Sequence, residues 1–248
     1  DLQLNKGLID AYDMISSGDT DGVFQLESGG MKSFMTELKP NSLEDIIAGI
    51  SLYRPGPMDS IPTYVANKNS KGAIKYKHPL LEPILNVTYG CIVYQEQVMQ
   101  IVRELAGYSL GRADLVRRAM SKKKADVMAQ EKKNFIYGID DGENSVDGAI
   151  KRGVDEATAN SIFDEMMDFA SYAFNKSHAA AYAVVAYQTA WLKRHYPVEF
   201  FTALLTSWVE TTDKVTKYIE ICSRKGIKVL PPDINKSGQY FTVDKDPD

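Results

Sequence analysis

The stretch "CIVYQEQVMQIVRELAGY" (residues 91–108) carries the clearest helical pattern in the chain and decides its fold class. Its apolar residues recur at spacings of three and four, the period at which side chains share one face of an α-helix. They are Val93, Val98, Ile101, Val102 and Leu105. Gly107 follows, and glycine commonly ends a helix because it adopts the left-handed conformation at little cost. The segment therefore predicts an amphipathic helix.

Similar patterns on both sides of this segment predict a mainly α fold. On the C-terminal side, helices are expected within residues 109–124 and 125–138, from Asp155, from about Ser177 to His195, from Pro197 to Val209, and from Thr211 or Thr212 to Gly226. On the N-terminal side, helices are expected around residues 8–15, from Ser28, and from Asn41 or Ser42 to residue 53. Loops and short turns are expected over residues 64–89, and a solvent loop or small hairpin over residues 139–153. A few short strands are expected near the ends, at residues 23–26, 227–230 and 240–243.

The composition is that of an ordinary globular protein: of 248 residues, 44% are hydrophobic and 25% are charged, with a formal net charge of -4. No apolar run approaches the roughly 20 residues that a membrane-spanning helix needs. The chain starts at Asp1 without a signal peptide, so we expect it to be a piece of a longer protein. Cys91 and Cys222 have no other cysteine or histidine at metal-ligand spacing, which favours buried thiols in a reducing, cytoplasmic compartment.

The stretch "RADLVRRAMSKKK" (residues 112–124) concentrates positive charge on one expected helix of an acidic chain. Arg117 and Arg118 are adjacent, and Lys122, Lys123 and Lys124 follow. Adjacent arginines without interleaved carboxylates repel one another, so they are tolerated in water or with an anion between them. The segment alone leaves two interpretations open, a solvated run of charge and an anion-binding site.

A second candidate site lies in "FNKSHAAAYA" (residues 174–183). Ser177 stands at the expected helix start, Asn175 and Lys176 precede it, and His178 lies in the first turn. A helix N-terminus presents unpaired N–H groups and a partial positive charge, both of which favour a phosphate. The alternative is an ordinary capped helix with a lysine and a histidine there by chance.

Two further candidates carry less weight. Arg54 in "LYRPGP" (residues 52–57) stands where a helix gives way to a stiff proline turn, which could aim its guanidinium or simply leave it on the last helical carbonyls. Asp19 and Asp21 in "GDTDG" resemble a carboxylate pair that holds two magnesium ions, but aspartate is also favoured in polar turns. The sequence has no P-loop, dinucleotide fingerprint, nucleophile elbow or zinc spacing. It offers phosphate-binding candidates without a convincing metal site.

Six segments are spread along nearly the whole length of the chain: "GVFQLESGGM" (residues 22–31), "LYRPGP" (52–57), "TYGCIVYQEQVMQI" (88–101), "LVRRAMSKKK" (115–124), "FNKSHAAAYAVVAYQTAWLK" (174–193) and "VLPPDIN" (229–235). In sequence and in order they resemble the α subunit of bacterial DNA polymerase III, the replicative C-family DNA-directed DNA polymerase. Residues 137–153 depart from the shortest family members by an apparent insertion.

The resemblance implies a helical fingers domain over residues 1–228 and a strand and turn segment over residues 229–248 that continues into the parent chain. In the family the fingers contact the triphosphate of the incoming dNTP, which implies that role for Arg117, Arg118, Lys176, Ser177 and His178, with Arg54 and Asn175 near the site. Lys122, Lys123 and Lys124 would face either the template or the triphosphate. The catalytic carboxylates and their Mg2+ ions belong to the palm, outside this chain, so the chain alone is expected to hold no cofactor and to be inactive.

The partners implied are the incoming dNTP, primer–template DNA, the palm and thumb of the same polymerase and, through regions outside this chain, the sliding clamp and other replisome subunits; no membrane partner is implied. A different interpretation is a DNA-binding or scaffolding domain without a nucleotide role. The overall acidity argues against broad duplex binding, since non-specific affinity scales with the number of phosphates neutralised. A third interpretation is a self-contained metal-dependent enzyme that uses Asp19 and Asp21.

Overall fold

The structure is a computed structural model that describes residues 2–70, 72–122, 125–142, 145–170 and 172–244. It confirms the mainly α fold, with twelve α-helices among these residues. They are α1 (Leu2–Ser16), α2 (Gly29–Leu38), α3 (Leu43–Leu52), α4 (Ile61–Asn69), α5 (Glu82–Leu85), α6 (Gln95–Ala106), α7 (Leu110–Ser121), α8 (Ala125–Tyr137), α9 (Glu156–Ala170), α10 (Lys176–His195), α11 (Pro197–Ser207) and α12 (Thr212–Arg224). Short 3-10 turns cover Pro57–Ser60, Pro79–Leu81 and Asn86–Thr88. In the part of the chain that is described, no helix combines the length and apolar character needed to span a bilayer.

The chain divides into two compact units, which we call the central unit (Glu44–Ala181) and the terminal unit (Asp1–Leu43 and Tyr182–Asp248). The boundary after residue 181 falls within α10. The division at residues 228 and 229 that the resemblance implies stays a prediction.

Helix α6 supplies the middle of the central unit's core, as its apolar pattern predicts. Ile101, Val102 and Leu105 are fully buried and belong to one hydrophobic cluster with residues of α7, α8 and α9. The helix ends at Gly107, whose φ of 80° is left-handed as expected. It begins at Gln95 because the side chain of Gln97 accepts hydrogen bonds from the two preceding backbone amides, those of Val93 (2.9 Å) and Tyr94 (3.0 Å). These bonds satisfy donors that the start of a helix otherwise leaves unpaired.

The stretch after α8 forms the small hairpin that was one of its two predicted structures. Ile139 and Val146 form an antiparallel bridge with reciprocal backbone hydrogen bonds of 2.9 and 2.8 Å. Val146 and Ala149 are buried in the cluster around α6, so the insertion is partly core rather than wholly solvent loop. Gly148 has a φ of 85°, and a Cβ there would lie 2.3 Å from the amide nitrogen of Gly138. Glycine is therefore required at residue 148, where the backbone passes close to Gly138.

The terminal unit is built on the packing of α11 against α12. Phe201 and Leu205 contribute from α11, and Tyr218, Ile221 and Cys222 from α12. Helix α2 begins where predicted, because the Ser28 side chain accepts a hydrogen bond from the amide of Met31 (3.3 Å). The prediction of buried free thiols is also confirmed, since Cys222 here and Cys91 in the central unit are both buried and unbridged.

The predicted strands are wrong. Residues 23–26 form two consecutive turns, in which the amides of Val23 and Leu26 donate to the carbonyls three residues earlier. Gln25 has a φ of 63°, which no strand accommodates. Residues 227–230 and 240–243 lack strand structure as well, and within the described residues β-pairing is limited to two isolated bridges.

Two helix starts also differ from expectation. Residues 61–69, of which 64–69 were expected to be loop, form α4, and Pro62 suits its first turn because proline fixes φ there without losing a needed donor. Helix α10 begins at Lys176, one residue before the predicted start, because Asn175 rather than Ser177 caps it: the Asn175 Oδ1 accepts from the amide of His178 (3.0 Å).

Candidate anion-binding site

A parallel backbone bridge between Tyr94 and Phe174 brings two remote segments of the central unit together. The amide of Phe174 donates to the carbonyl of Val93 (3.1 Å), and the amide of Gln95 donates to the carbonyl of Phe174 (2.9 Å). The bridge places the first turn of α6 beside the first turn of α10. We call the bridge, with the side chains bonded to residues 94–96 and 172–176, the α6–α10 junction.

Lys176 lies at the centre of the junction, and both of its donor groups are engaged. Its backbone amide donates to the two carboxylate oxygens of Glu96, at 3.1 and 3.2 Å. Its Nζ lies 3.1 and 3.0 Å from the two carboxylate oxygens of Glu44, in the first turn of α3. The same Nζ lies 5.2 Å from the centre of the Tyr94 ring, a cation–π distance. The ammonium is therefore held between an acid and an aromatic face.

The first turn of α10 lies where the sequence predicts it, but two of its backbone amides already have hydrogen-bond acceptors. The amide of His178 is bonded to Asn175, and the amide of Lys176 is bonded to Glu96. The His178 ring packs edge-on against Phe174, with ring centres 5.5 Å apart. Both Ser177 and His178 are exposed, so their side chains face solvent at the end of the junction.

Arg54 joins the junction from the end of α3. Its guanidinium stacks 4.1 Å above the centre of the Phe174 ring. Its Nη2 donates to the carbonyl of Tyr172 (2.8 Å), and its Nε to the carbonyl of Ser51 (3.0 Å). Both predicted possibilities are thus realised, since the side chain contacts a helical carbonyl and is also aimed at the candidate site. Gly56 allows the turn after Arg54 to lie against Tyr172, because a Cβ at residue 56 would be 2.2 Å from the Tyr172 ring.

The arginine pair of α7 shares one carboxylate that the sequence argument overlooked. Asp114 Oδ1 accepts from Nε (2.9 Å) and Nη2 (2.6 Å) of Arg117, and Asp114 Oδ2 lies 2.7 Å from Nη2 of Arg118. The expectation of no interleaved carboxylate is therefore wrong: residues three and four apart meet on a helix, and Asp114 separates the two charges. Hydrogen bonding from Arg117 is the main reason why the pKa of Asp114 lies below its ordinary value.

Gln95 connects this pair to the junction. Its Oε1 accepts from Nη1 of Arg117 (3.0 Å), and its Nε2 donates to the carbonyl of Ala173 (3.2 Å). No sequence signal identifies Gln95, Glu96 or Glu44 as site residues, because nothing local marks a polar residue in the first turn of one helix as the partner of another helix. Only the Tyr94–Phe174 bridge reveals these contacts.

The remaining candidates differ in how closely they relate to the junction. Among the described residues Arg118 is joined to it through Asp114, and its side chain is 63% exposed. Lys122 is exposed at the end of α7, where its amide caps the helix by donating to the carbonyl of Arg118 (3.2 Å). The predicted contacts of Lys123 and Lys124 lie outside the described residues. The structure therefore groups Arg54, Arg117, Asn175, Lys176 and His178, with Ser177 and Arg118 at the margin.

The aspartates of "GDTDG" are ion-paired within the terminal unit. Asp19 Oδ1 lies 2.9 Å from Nζ of Lys193, and Asp19 Oδ2 binds Lys225. Asp21 Oδ1 lies 2.6 Å from Nζ of Lys32. Across the described ranges there is no group of three or more His, Cys, Asp or Glu side chains that could hold a metal ion.

Known proteins similar to this chain are DNA polymerase subunits. A family model described as the bacterial DNA polymerase III alpha subunit finger domain matches residues 8–143. The DNA polymerase III subunit alpha of Thermus aquaticus is 51% identical over 237 residues, which cover 94% of this chain and 19% of that protein. Those of Bacillus subtilis and Pasteurella multocida are 47% and 48% identical, covering 94% and 95% of this chain and 20% of each protein. The chain spans about a fifth of the length of these curated relatives.

Proposed function

Because this chain belongs to the bacterial DNA polymerase III alpha subunit finger-domain family, we propose that its α6–α10 junction binds the triphosphate of the incoming dNTP beside the template during DNA synthesis. The proposal covers the residues that the sequence had singled out: Arg117, Arg118, Lys176, Ser177 and His178, with Arg54 and Asn175 at the edge. The polymerase activity itself would reside in the longer protein, with the catalytic carboxylates outside this chain.

The observation that carries this proposal is the convergence of remote cations on one junction. Arg54, Arg117 and Lys176 come from three different helical segments, and each contacts residues 94–96 or 172–174 directly. With Arg118, the described contacts join four cations to three carboxylates, those of Glu44, Glu96 and Asp114, which leaves one positive charge in excess. A polyanionic ligand would complete the balance.

The chemistry of phosphoryl transfer suits such a set of residues. The reaction needs little covalent help from protein and depends on alignment of the phosphates and neutralisation of their charge. The planar guanidinium of Arg118 matches two phosphate oxygens, and its exposure leaves donors available. Arg117, held by Asp114 and Gln95, would fix the direction of approach, while Lys176 adds charge near the β and γ phosphates. The exposed Lys122 would contact either the template backbone or the triphosphate.

Magnesium ions would supply charge neutralisation and activation of the attacking hydroxyl in such a polymerase. The residues of this chain do not fit them: Asp19 and Asp21, the pair that resembled a magnesium site, are already bonded to lysines. We therefore propose that the metal ligands belong to the palm.

The test is Arg118→Ala in an α subunit that carries this chain. Loss of hydrogen bonds to a charged phosphate removes about 1.5–3 kcal/mol, which lowers kcat/KM for dNTP by roughly 10- to 100-fold. Lys151→Ala is the matched control, because Lys151 is another exposed cation paired with an aspartate four residues away, on the hairpin. We expect that control to stay within about twofold of the parent protein.

Steady-state kinetics with varied dNTP distinguish this proposal from binding to DNA alone. If Arg118→Ala leaves kcat and KM for dNTP unchanged but weakens primer–template binding in a salt-dependent way, the nucleotide role is wrong and the DNA-binding interpretation replaces it.

A further inference from the structure

Glu96 makes a contact that a triphosphate site would not be expected to contain. Its carboxylate, on α6, accepts a hydrogen bond from the Lys176 amide at the start of α10, eighty residues away in the chain. Phosphate oxygens bind at this kind of amide, and a carboxylate is an acceptor of the same type. A negatively charged side chain therefore stands where the proposed function needs room for a negatively charged ligand.

The contact is not needed to cap the helix. Helix α10 has a cap of its own, the Asn175 side chain bonded to the amide of His178. A second acceptor from another helix adds negative charge beside Lys176, whose ammonium already pairs with Glu44. Glu96 thus stabilises the free protein while it opposes the approach of an anion.

Glu44 and Glu96 accept from different groups of Lys176, and only one of these groups can bind a ligand at the same time. An ammonium has three N–H donors, so Nζ can keep Glu44 and still bind a phosphate oxygen. A backbone amide has one donor, and Glu96 uses it. Binding of a phosphate at this amide requires Glu96 to leave, whereas binding at the ammonium does not require Glu44 to leave.

A buried hydroxyl beside these groups indicates that protein atoms alone do not satisfy the junction. Tyr94 is 1% exposed, and its hydroxyl has no hydrogen-bond partner among the described residues. Its ring centre lies 5.2 Å from the Lys176 Nζ, and burial, followed by the charges of Glu44, Glu96 and Asp45, raises the pKa of Tyr94, so the hydroxyl remains a donor. Buried polar groups normally find a partner, and an unpaired one at this place is consistent with a ligand acceptor or a rearranged carboxylate.

From these contacts we infer that Glu96 is an internal competitor of the triphosphate: its carboxylate holds the Lys176 amide in the free protein and gives way to a phosphate oxygen when nucleotide binds. The inference rests on the proposed function and adds to it a residue that sets affinity. A competitor of this kind weakens triphosphate binding and returns to the amide when pyrophosphate leaves, which favours release of the product.

The experiment compares three variants in an α subunit that carries this chain, with inorganic tripolyphosphate as the probe and titration calorimetry as the measurement. Glu96→Gln keeps an oxygen that can accept from the amide but loses the charge. Glu96→Asp keeps the charge but withdraws it by one methylene. We expect both to bind tripolyphosphate roughly three- to tenfold more tightly, since a charge-assisted hydrogen bond is about twice as strong as a neutral one.

Glu44→Gln is the matched control for a general effect of charge. It removes one negative charge from the same lysine without freeing the amide, so its gain should be smaller. That gain in affinity should also vanish in 1 M salt, because exposed charges more than about 3 Å apart are then screened from each other. The gain of Glu96→Asp should persist, and urea unfolding of each variant verifies that the fold is kept.

The outcomes separate this inference from the proposed function. If the parent protein binds tripolyphosphate and Arg118→Ala weakens the binding, but Glu96→Asp binds no more tightly, the competitor role is overturned and the proposed function stands. If Glu96→Gln fails to fold, Glu96→Asp alone decides. If neither the parent nor any variant binds tripolyphosphate, and Arg118→Ala leaves the dNTP kinetics unchanged, both proposals are wrong.

Discussion

Asp19 in the terminal unit and Asp114 in the central unit each bind two cationic side chains, yet their surroundings differ. Asp19 bonds to Lys193 and Lys225, and the Lys193 side chain is 1% exposed, with its Nζ 5.8 Å from the centre of the Phe201 ring. Asp114 bonds to Arg117 and Arg118, and the Arg118 side chain is 63% exposed. The two patterns thus differ in one cation: Lys193 is sealed from water, whereas Arg118 is open to it.

The difference indicates that burial, rather than the count of charges, decides whether a cation depends on its carboxylate or can exchange it for another acceptor. A buried lysine has lost its hydration and depends on its partner, so removal of the partner is costly. An exposed arginine keeps its hydration, and its pairing with a carboxylate contributes little to stability. It can therefore exchange that partner for a phosphate, whereas Lys193 cannot.

The largest effect is expected for Asp19→Asn. The substitution removes the negative charge and leaves the buried Lys193 ammonium with neutral acceptors there, the backbone carbonyl of residue 19 (2.9 Å) and the introduced amide oxygen. We expect a loss of about 2 kcal/mol in the free energy of unfolding, below the roughly 3–5 kcal/mol of a fully buried pair because the Asp19 side chain is 36% exposed. Urea unfolding measures it.

Asp21→Asn is the control for this substitution, since the Asp21–Lys32 pair is partly exposed on both sides. Its effect should stay below about 1 kcal/mol. Equal losses for the two variants would contradict the role assigned to burial.

A smaller effect, in the pH dependence of stability, follows from the same residue. Burial raises the pKa of Asp19, but hydrogen bonds from Lys225 and Lys193 outweigh it, so the pKa in the folded protein lies below its ordinary value of 3.8. Protonation therefore favours the unfolded chain, and the stabilisation is complete above pH 3.8 and lost as the pH falls through the folded pKa. The difference between the parent protein and Asp19→Asn should narrow below about pH 4. A difference that stays constant from pH 7 to pH 3 would show that the charge of Asp19 is not the cause.

The sequence predicts the fold where local chemistry decides it. Caps at Ser28 and Asp155 and the left-handed glycine at residue 107 mark helix ends that the structure confirms. The predicted strand at residues 23–26 fails because an apolar run alone does not make a strand. Val23 and Leu26 are buried, but the backbone between them forms a pair of turns. The left-handed conformation of Gln25 makes these turns possible, and the spacing of apolar residues does not reveal it.

In the candidate site, too, the sequence predicts the residues that have a local signal and misses those that depend on distant contacts. Arg117 and Lys176 could be named from the sequence, because paired arginines and a helix start have recognisable chemistry. Asp114 could also have been found, since it precedes the arginines by three and four residues. Glu96 and Gln95 could not, because their partners at Lys176 and Ala173 are far away in the chain and meet them only across the α6–α10 junction.

The smallest effect on stability is expected for Asp114→Asn, which removes the carboxylate of the more exposed ion pairs. The substitution removes the charge that Arg117 and Arg118 share, but Arg118 stays accessible to water and Arg117 keeps Gln95 as an acceptor. Pairs three and four residues apart on an exposed helix also cost side-chain entropy to form, which cancels much of their attraction. We therefore expect no resolvable change in the urea midpoint of Asp114→Asn, measured beside Asp19→Asn under the same conditions. A loss as large as that of Asp19→Asn would mean that the arginine pair is a structural element, as Lys193 is, and it would remove the reason to regard Arg118 as free to bind a phosphate.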